Sequence, residues 1–597
     1  MVSYYRKDDM GIIEFNDPDS KVNLLSAENL DALERIIGSV IENDRHIKAL
    51  FFISGKQDIF IAGADIKELA AICTKAEAIQ ICKRGQDLFD KIEQLTMPTI
   101  AVVSGACVGG GLELALSCDC ILATKNKKVR MGLPEKRLGI TPGFGGPHRL
   151  AERIGAKEAG HLIATGRLLS GKEALLFNLV DDIIPESKKF LYKKLIKVYR
   201  RRGICAKRSA RGNGERAGLN QAEREVLAEK IFQEPARNSL ASYLLVSKYR
   251  NYPWPESASG TPRPTIKRSA IIGAGTMGRG IAYLVSSQGG LPVGLTDLDR
   301  HTLKKARPRI KAIYGEAVKK DILYKNEARV RFGNITFGKA DLAHADIVLE
   351  SITEDASLKE ALFAEVEPRL RKDCILATNA SCLSVQGLSK SLARAERFIG
   401  MHFFNPAYKM KLVEVVPTRF TSREVLQAAV AFLQRLKRIP VIVKDSPGFL
   451  VNRMLLPYLN EAVFMLEEGV LAEDIDRAML EFGMPMGPLR LLGEIGLDVA
   501  YKASKALEDS YGNRMKVPET LKACPEEILE PQRTGRSHRD FEYITGRLLS
   551  PIKREAVLCL EERVVDDREI IDLALLLGIG FPASKRIWHH KKCLTSA

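Results

Sequence analysis

Unbroken apolar runs alternate with amphipathic stretches over the first part of the chain. Ala49-Leu-Phe-Phe-Ile53 and Thr99-Ile-Ala-Val-Val103 lack polar interruptions, as strands covered on both faces require. Gly11-Ile-Ile-Glu-Phe15 is a further strand-like run, and Ala27–Asn43 and Ala76–Gln94 are helical segments. This alternation predicts an α/β domain over residues 1–190. From 191 to 265 the pattern breaks down. The segment is basic, carries Gly203, Gly212, Gly214 and Gly218, and contains one expected helix, Gln221–Phe232. It ends in a stretch with Pro253, Pro255, Pro262 and Pro264, which favours an extended linker. A second α/β domain is expected over 266–445, and residues 446–545 read as helical. Residues 546–597 repeat part of that helical module: Glu555-Ala-Val-Leu-Cys-Leu-Glu-Glu-Arg-Val564 matches Glu461-Ala-Val-Phe-Met-Leu-Glu-Glu-Gly-Val470, and each copy reaches a Gly-x-Pro turn, Gly483-Met-Pro485 and Gly580-Phe-Pro582.

Composition narrows the function classes. At 45% apolar and 28% charged, the 597 residues suit a soluble, several-domain protein. The net charge of +17 suits a polyanionic ligand. Its densest block, Lys193 to Arg211, is accompanied by no nucleic-acid recognition pattern, so no nucleic acid is expected. The 11 cysteines form no CxxC pair and no metal-type spacing with histidine, so no metal is expected. Cys118 and Cys120 read as core thiols, and a reducing cytoplasm fits best. No apolar run is long enough to span a bilayer, and no cleaved targeting segment is expected.

Two constellations carry chemistry. In the first, Gly105-Ala-Cys-Val-Gly-Gly-Gly-Leu-Glu-Leu-Ala-Leu116 combines a triple glycine, a helix start and the carboxylate of Glu113. Gly132-Leu-Pro-Glu135 opens a glycine-rich turn with a second carboxylate. The small-residue turn Phe60-Ile-Ala-Gly-Ala-Asp-Ile66 offers the N–H of Ala64. Any one of these alone is an ordinary packing feature. Together they supply what adding water to an unsaturated thioester needs: two carboxylates for proton transfer and backbone donors for an enolate oxygen. In the second, Ser269-Ala-Ile-Ile-Gly-Ala-Gly-Thr-Met-Gly278 is a strand followed by the turn Gly273, Gly275 and Gly278. Asp297 lies about 20 positions beyond, as a ribose-binding acid would. Asp297 favours NAD over NADP. His402 and Glu414 bracket an Asn-Pro turn between strand-like runs, a base and an orienting carboxylate for oxidising a secondary alcohol.

These motifs resemble known families. Residues Ser54 to Ile66 and the two glutamate motifs are similar to the crotonase (enoyl-CoA hydratase/isomerase) superfamily. The stretch from Ile266 to about Leu507 resembles the L-3-hydroxyacyl-CoA dehydrogenases. Their order resembles the α-subunit of the fatty-acid oxidation complex. The resemblance implies a β-β-α spiral crotonase domain, a doubly wound Rossmann domain and all-α helical repeats. It implies Glu113 and Glu135 as the catalytic pair, Ala64 and Gly110 as the oxyanion hole, His402 as base and Glu414 as its partner. It assigns Ser381 and Asn452 to substrate and Glu354 to the cofactor side. Acyl-CoA thioesters are the implied substrates, NAD the cofactor and a separate thiolase β-subunit the partner, with at most peripheral membrane contact. A side activity in shifting a Δ3 double bond to Δ2 is also implied. The linker is shorter and more basic than the family's, and the family's glycine-rich stretch survives only as Gly535–Phe541. The second helical copy is cut short, which predicts poorly covered apolar residues from Ile570 to Leu577 and reliance on a partner. The alternative reading is a relative retaining only dehydrogenase or binding function.

Overall fold

The computed structural model describes residues 2–43, 46–185, 213–250, 252–253, 265–338, 340–523 and 540–587. The basic block Lys193–Arg211 lies outside the described residues, as do most of the proline-rich stretch and of Gly535–Phe541. Two compact units divide the chain, the first through Leu244 and the second from Leu245. Among the described residues, no helix is long and apolar enough to cross a membrane.

The first unit contains strands β1 (Val2–Lys7), β2 (Met10–Phe15), β3 (Ala49–Ser54), β4 (Ile59–Ile61), β5 (Thr99–Val103), β6 (Ala106–Val108), β7 (Cys120–Thr124), β8 (Arg130–Gly132), β9 (Leu169–Ser170) and β10 (Asp182–Ile184). A six-stranded sheet runs β1-β2-β3-β5-β7-β10, and a four-stranded sheet runs β4-β6-β8-β9. After the antiparallel pair β1–β2, three successive chain turns each leave one strand in the large sheet, one in the small sheet, and then helix. Thus β3 and β4 precede Ile66–Ala71 and Lys75–Gln94, and β5 and β6 precede Gly110–Leu116. This is the β-β-α spiral. The two runs without polar residues, β3 and β5, are central parallel neighbours, and β5 is buried throughout. Cys118 and Cys120 are buried.

The segment expected as a linker behaves differently where it is described. Asn213–Lys230 and Glu234–Arg250 are both helices. Leu227, Ala228, Ile231, Ala236 and Leu240 form a core cluster with Ala70, Ile72, Ala78, Cys82 and Ile140 of the first unit. High charge conceals this docking in the sequence, because only a few apolar residues spread over two helices make it.

The second unit opens with an eight-stranded sheet: β11 (Ser269–Ile272), β12 (Val293–Thr296), β13 (Ile335–Phe337), β14 (Ile347–Glu350), β15 (Ile375–Thr378), β16 (Phe398–Phe403), β17 (Leu412–Pro417) and β18 (Ile439–Ile442). The order is β13-β12-β11-β14-β15-β16-β17-β18. Strands β13 through β16 are parallel, and β17 runs antiparallel to β16. The chain order reverses at β11, where a doubly wound sheet opens its ligand crevice.

The helices beyond Asp445 form the duplicated module that the sequence predicts. Val451–Glu467 packs against Phe541–Glu561. Ion pairs across them are reciprocal. Arg453 reaches Glu555 at 3.3 Å and Glu562 at 2.7 Å, while its counterpart Arg547 reaches Glu461 at 2.7 Å and Glu468 at 3.0 Å. The two Gly-x-Pro turns also meet: a Cβ on Gly483 would lie 3.1 Å from Pro582, and one on Gly580 would lie 2.9 Å from Pro485. Phe482 and Phe581 stack edge-on at 5.5 Å. The copies therefore cover one another, as partners in an isologous interface would.

That pairing corrects the expectation for the second copy. Ile570, Ile571, Leu573, Ala574 and Leu575 are buried, whereas Leu576 and Leu577 are half-buried. Their cover comes from the first copy and the sheet; a Cβ on Gly578 would lie 2.8 Å from Val451 and 3.2 Å from Leu412.

The reciprocal pairs differ in burial, which yields a stability prediction. Arg453 and Glu555 are fully buried, whereas the Arg547 side chain is about a quarter exposed. Arg453→Ala removes a fully buried guanidinium and leaves Arg514, at 3.1 Å, as the remaining partner of the buried Glu555, so it is expected to destabilise the second unit by about 3 kcal/mol, the low end for breaking a buried pair. Arg547→Ala is expected to cost about 0–1 kcal/mol. Denaturant unfolding of both variants reads the contrast, and equal losses would refute it.

Candidate active sites

The first site is a cleft of about 460 Å³ lined by Ala64, Gly109, Gly110, Glu113 and Glu135 among others. The triple glycine places the helix Gly110–Leu116 tightly against β4: a Cβ on Gly111 would lie 2.4 Å from the carbonyl oxygen of Ile61. Gly110 is the first residue of that helix, so its N–H has no acceptor within it. The turn carrying Ala64 packs beside it, with the Cβ direction of Gly63 pointing to the Val108 oxygen at 3.3 Å and the Gly110 nitrogen at 3.9 Å. The N–H groups of Ala64 and Gly110 thus belong to adjacent turns of one cleft.

Glu113 is almost fully buried. Its Oε1 accepts the N–H groups of Phe144 and Gly146, each at 2.9 Å. Burial pushes its carboxyl up to about 7, against the opposing effect of those two donors and Arg149. Glu135 opens the short 3-10 turn Glu135–Leu138. Its Oε1 lies 3.0 Å from the Cβ position of Gly109, and its buried Oε2 has no hydrogen-bond partner. Burial, then the charge of Glu113, pushes Glu135 up to about 8. One carboxyl ionises before the other, so the pair holds one proton between them. It can remove a proton at one position of a substrate and deliver one at another.

The second site is a cleft of about 1340 Å³ lined by Gly273, Gly275, Asp297, Glu354, Ser381, His402 and Asn452 among others. Pairing of β16 with β17 sets His402 directly opposite Glu414, and Nδ1 of the imidazole lies 2.6 Å from Oε2 of the carboxylate. Glu414 is wholly buried. Its other oxygen accepts the N–H groups of Leu450 and Val451, at 3.0 and 2.9 Å, where the helix Val451–Glu467 begins. Helix start and strand pairing together fix the imidazole, leaving Nε2 as its second functional atom. Asn452 donates to the Ser381 carbonyl at 3.2 Å. Glu354 accepts the N–H groups of Ser381, Cys382 and Leu383 at 2.7, 2.8 and 3.2 Å, so it also holds the serine loop.

The glycine turn fits a dinucleotide. A Cβ on Gly275 would meet nothing within 4 Å, which leaves room for a diphosphate beside the N-terminus of the helix Thr276–Ser287. Gly278 has a different role and does not line the cleft: its Cβ would lie 1.8 Å from the Gly273 oxygen, so it permits the helix to lie on the strand. Asp297 accepts the Ala274 N–H at 2.6 Å, tying the acid to the turn at the cleft rim.

Sequence reasoning missed the buried support of both sites. Lys359 and Glu350 pair at 2.6 Å, both fully buried, and the Thr378 hydroxyl donates to the same carboxylate. Glu223, in the segment expected as linker, accepts the Gly145 N–H at 2.7 Å. Lys359 and Glu223 belong to no motif, and a lone charged residue in a polar sequence carries no signal of burial.

Family models match three parts of the chain. Residues 6–207 match the enoyl-CoA hydratase/isomerase family model. Residues 268–446 match the 3-hydroxyacyl-CoA dehydrogenase NAD binding domain, and residues 448–540 its C-terminal domain. Among solved structures, the chain is similar to (S)-3-hydroxybutyryl-CoA dehydrogenase from Ralstonia eutropha, at 34% identity, covering 43% of this chain and 93% of that one, with a TM-score of 0.41. It is similar to an enoyl-CoA hydratase from Bacillus anthracis, at 28% identity, covering 41% and 82%, with a TM-score of 0.31. It is also similar to the dehydrogenase part of multifunctional enzyme 1 from C. elegans, at 24% identity, covering 57% and 86%, with a TM-score of 0.40. The chain belongs to the enoyl-CoA hydratase/isomerase family over residues 6–207 and to the 3-hydroxyacyl-CoA dehydrogenase family over residues 268–446 and 448–540, and is a fused hydratase/dehydrogenase.

Proposed function

We propose that the chain performs two consecutive steps of fatty-acid β-oxidation, with the residues above in defined roles. In the first, Glu113 as the anion takes a proton from water, whose oxygen bonds to C3 of a trans-2-enoyl-CoA. Glu135 delivers its proton to C2, and the N–H groups of Ala64 and Gly110 hold the thioester oxygen as it gains charge. In the second, His402 accepts the 3-hydroxyl proton at Nε2 while Glu414 stabilises the resulting imidazolium. NAD, held by the Gly273–Gly278 turn and Asp297, supplies the hydride acceptor. Ser381 and Asn452 position the substrate, and Glu354 holds the loop between them.

The observation that carries this reading is the pair of unlike acid–base sets, two buried carboxylates in one cleft and an imidazole–carboxylate pair in the other. The test is NADH formation from crotonyl-CoA and NAD by the purified chain. NADH from 3-hydroxybutyryl-CoA but not from crotonyl-CoA would leave only the dehydrogenase assignment standing.

Three finer assignments accompany it. The same carboxylates suit a Δ3 to Δ2 double-bond shift, in which a proton leaves C2 and another arrives at C4. Thiolytic cleavage of the 3-oxoacyl product falls to a separate thiolase subunit, in keeping with the family resemblance. The buried thiols suit a reducing compartment such as the cytoplasm.

A further inference from the structure

Three consecutive amides, those of Phe144, Gly145 and Gly146, hold two carboxylates. The outer two bind Glu113 Oε1, and the middle one binds Glu223 Oε1 at 2.7 Å. Gly145 is left-handed at φ +86, which turns its N–H away from its neighbours' direction. Glu223 rides on Asn213–Lys230, a helix outside the enoyl-CoA hydratase/isomerase match at 6–207. It does not line the cleft.

We propose that Glu223 is a positioning residue of the hydratase site: by accepting the Gly145 N–H it anchors the turn whose flanking amides hold Glu113. This rests on the hydratase reading above. The groups around Glu223 come from five elements. Glu113 and Glu135 are the negative neighbours across the turn. Arg149 and His148 lie on Gly146–Ile154, next to Gly145. Cys82, Asp90 and Glu93 lie on Lys75–Gln94, where Asp90 and Glu93 pair with Arg149. On its own helix, Arg224 donates to Gln86 at 3.0 Å.

Burial, then the charge of Glu113, pushes Glu223 up to about 8, against the opposing effect of the Gly145 N–H, Gln86 and Arg149. Ionised or protonated, its carboxyl oxygen accepts the Gly145 N–H, so the anchor does not depend on its charge.

Steady-state hydration of crotonyl-CoA tests the proposal on the full chain. Glu223→Gln retains an acceptor for the Gly145 N–H and is expected to keep most of the wild-type kcat. Glu223→Ala removes the acceptor and is expected to lower kcat by about tenfold with KM little changed, since the turn holding Glu113 loses its anchor. Thermal unfolding of each variant followed by circular dichroism verifies that the first unit is folded. A Glu223→Ala variant with wild-type kcat, or an equal loss of kcat in the Gln and Ala variants, would overturn the proposal. Wild-type chain without hydratase activity would instead end the reading on which it rests.

Discussion

His402→Ala is expected to reduce NADH formation from 3-hydroxybutyryl-CoA by about 10²–10⁴-fold while hydration of crotonyl-CoA stays unchanged. The size follows from the loss of the proton acceptor. The imidazole is the cleft group whose outward nitrogen is set by its inward one: Nδ1 lies 2.6 Å from Glu414. The sparing of hydration follows because the hydratase carboxylates belong to the other compact unit. Glu414→Gln sharpens the test. The carboxylate's second oxygen accepts two backbone N–H groups. A glutamine would keep its oxygen there and turn its amide donors toward Nδ1. The imidazole would then carry its proton on Nε2, the tautomer unable to accept one. A loss close to that of His402→Ala is therefore expected, although Gln is nearly isosteric. If Glu414→Gln retained most of the rate, the carboxylate would be a packing feature and not an orienting group.

The sequence made the chemistry legible where it lies within one strand, turn or helix start. His402 and Glu414 were readable because an antiparallel pair places residues opposite each other at short separation. Glu113 and Glu135 were readable because each sits beside glycines that the turn demands. The glycine turn with Asp297 was readable because the parallel βαβ unit fixes its spacing.

What escaped is what the chain assembles from afar. Glu223 contributes through one hydrogen bond to a turn many residues earlier, from a helix whose surroundings look like a linker. The Lys359–Glu350 pair is two ordinary charges until the sheet buries them. The shortened second copy misled for a related reason. Counting residues suggested exposed leucines, whereas reciprocal pairing of the two copies covers them. The repeat was visible, but the symmetry by which one copy shields the other needs coordinates.

Glu135→Gln is expected to reduce hydration of crotonyl-CoA by about 10²–10⁴-fold at every pH, with oxidation of 3-hydroxybutyryl-CoA intact. The glutamine fills the same space and removes the proton that C2 must receive. In the wild type, the same chemistry fixes the shape of the pH profile. Below about 7, Glu113 takes up a proton and can no longer activate water; above about 8, Glu135 loses the proton it must deliver. The kcat/KM for hydration is therefore expected to peak between those values and fall on both sides. A hydration rate that kept rising well beyond pH 8 would mean that Glu135 acts as an anion, and the two carboxylates would have to exchange roles. Only the ionisation order fixes which glutamate is acid and which is base. That order comes from their surroundings: Glu113 is held by two N–H donors and has Arg149 near it, whereas the buried Oε2 of Glu135 has no partner.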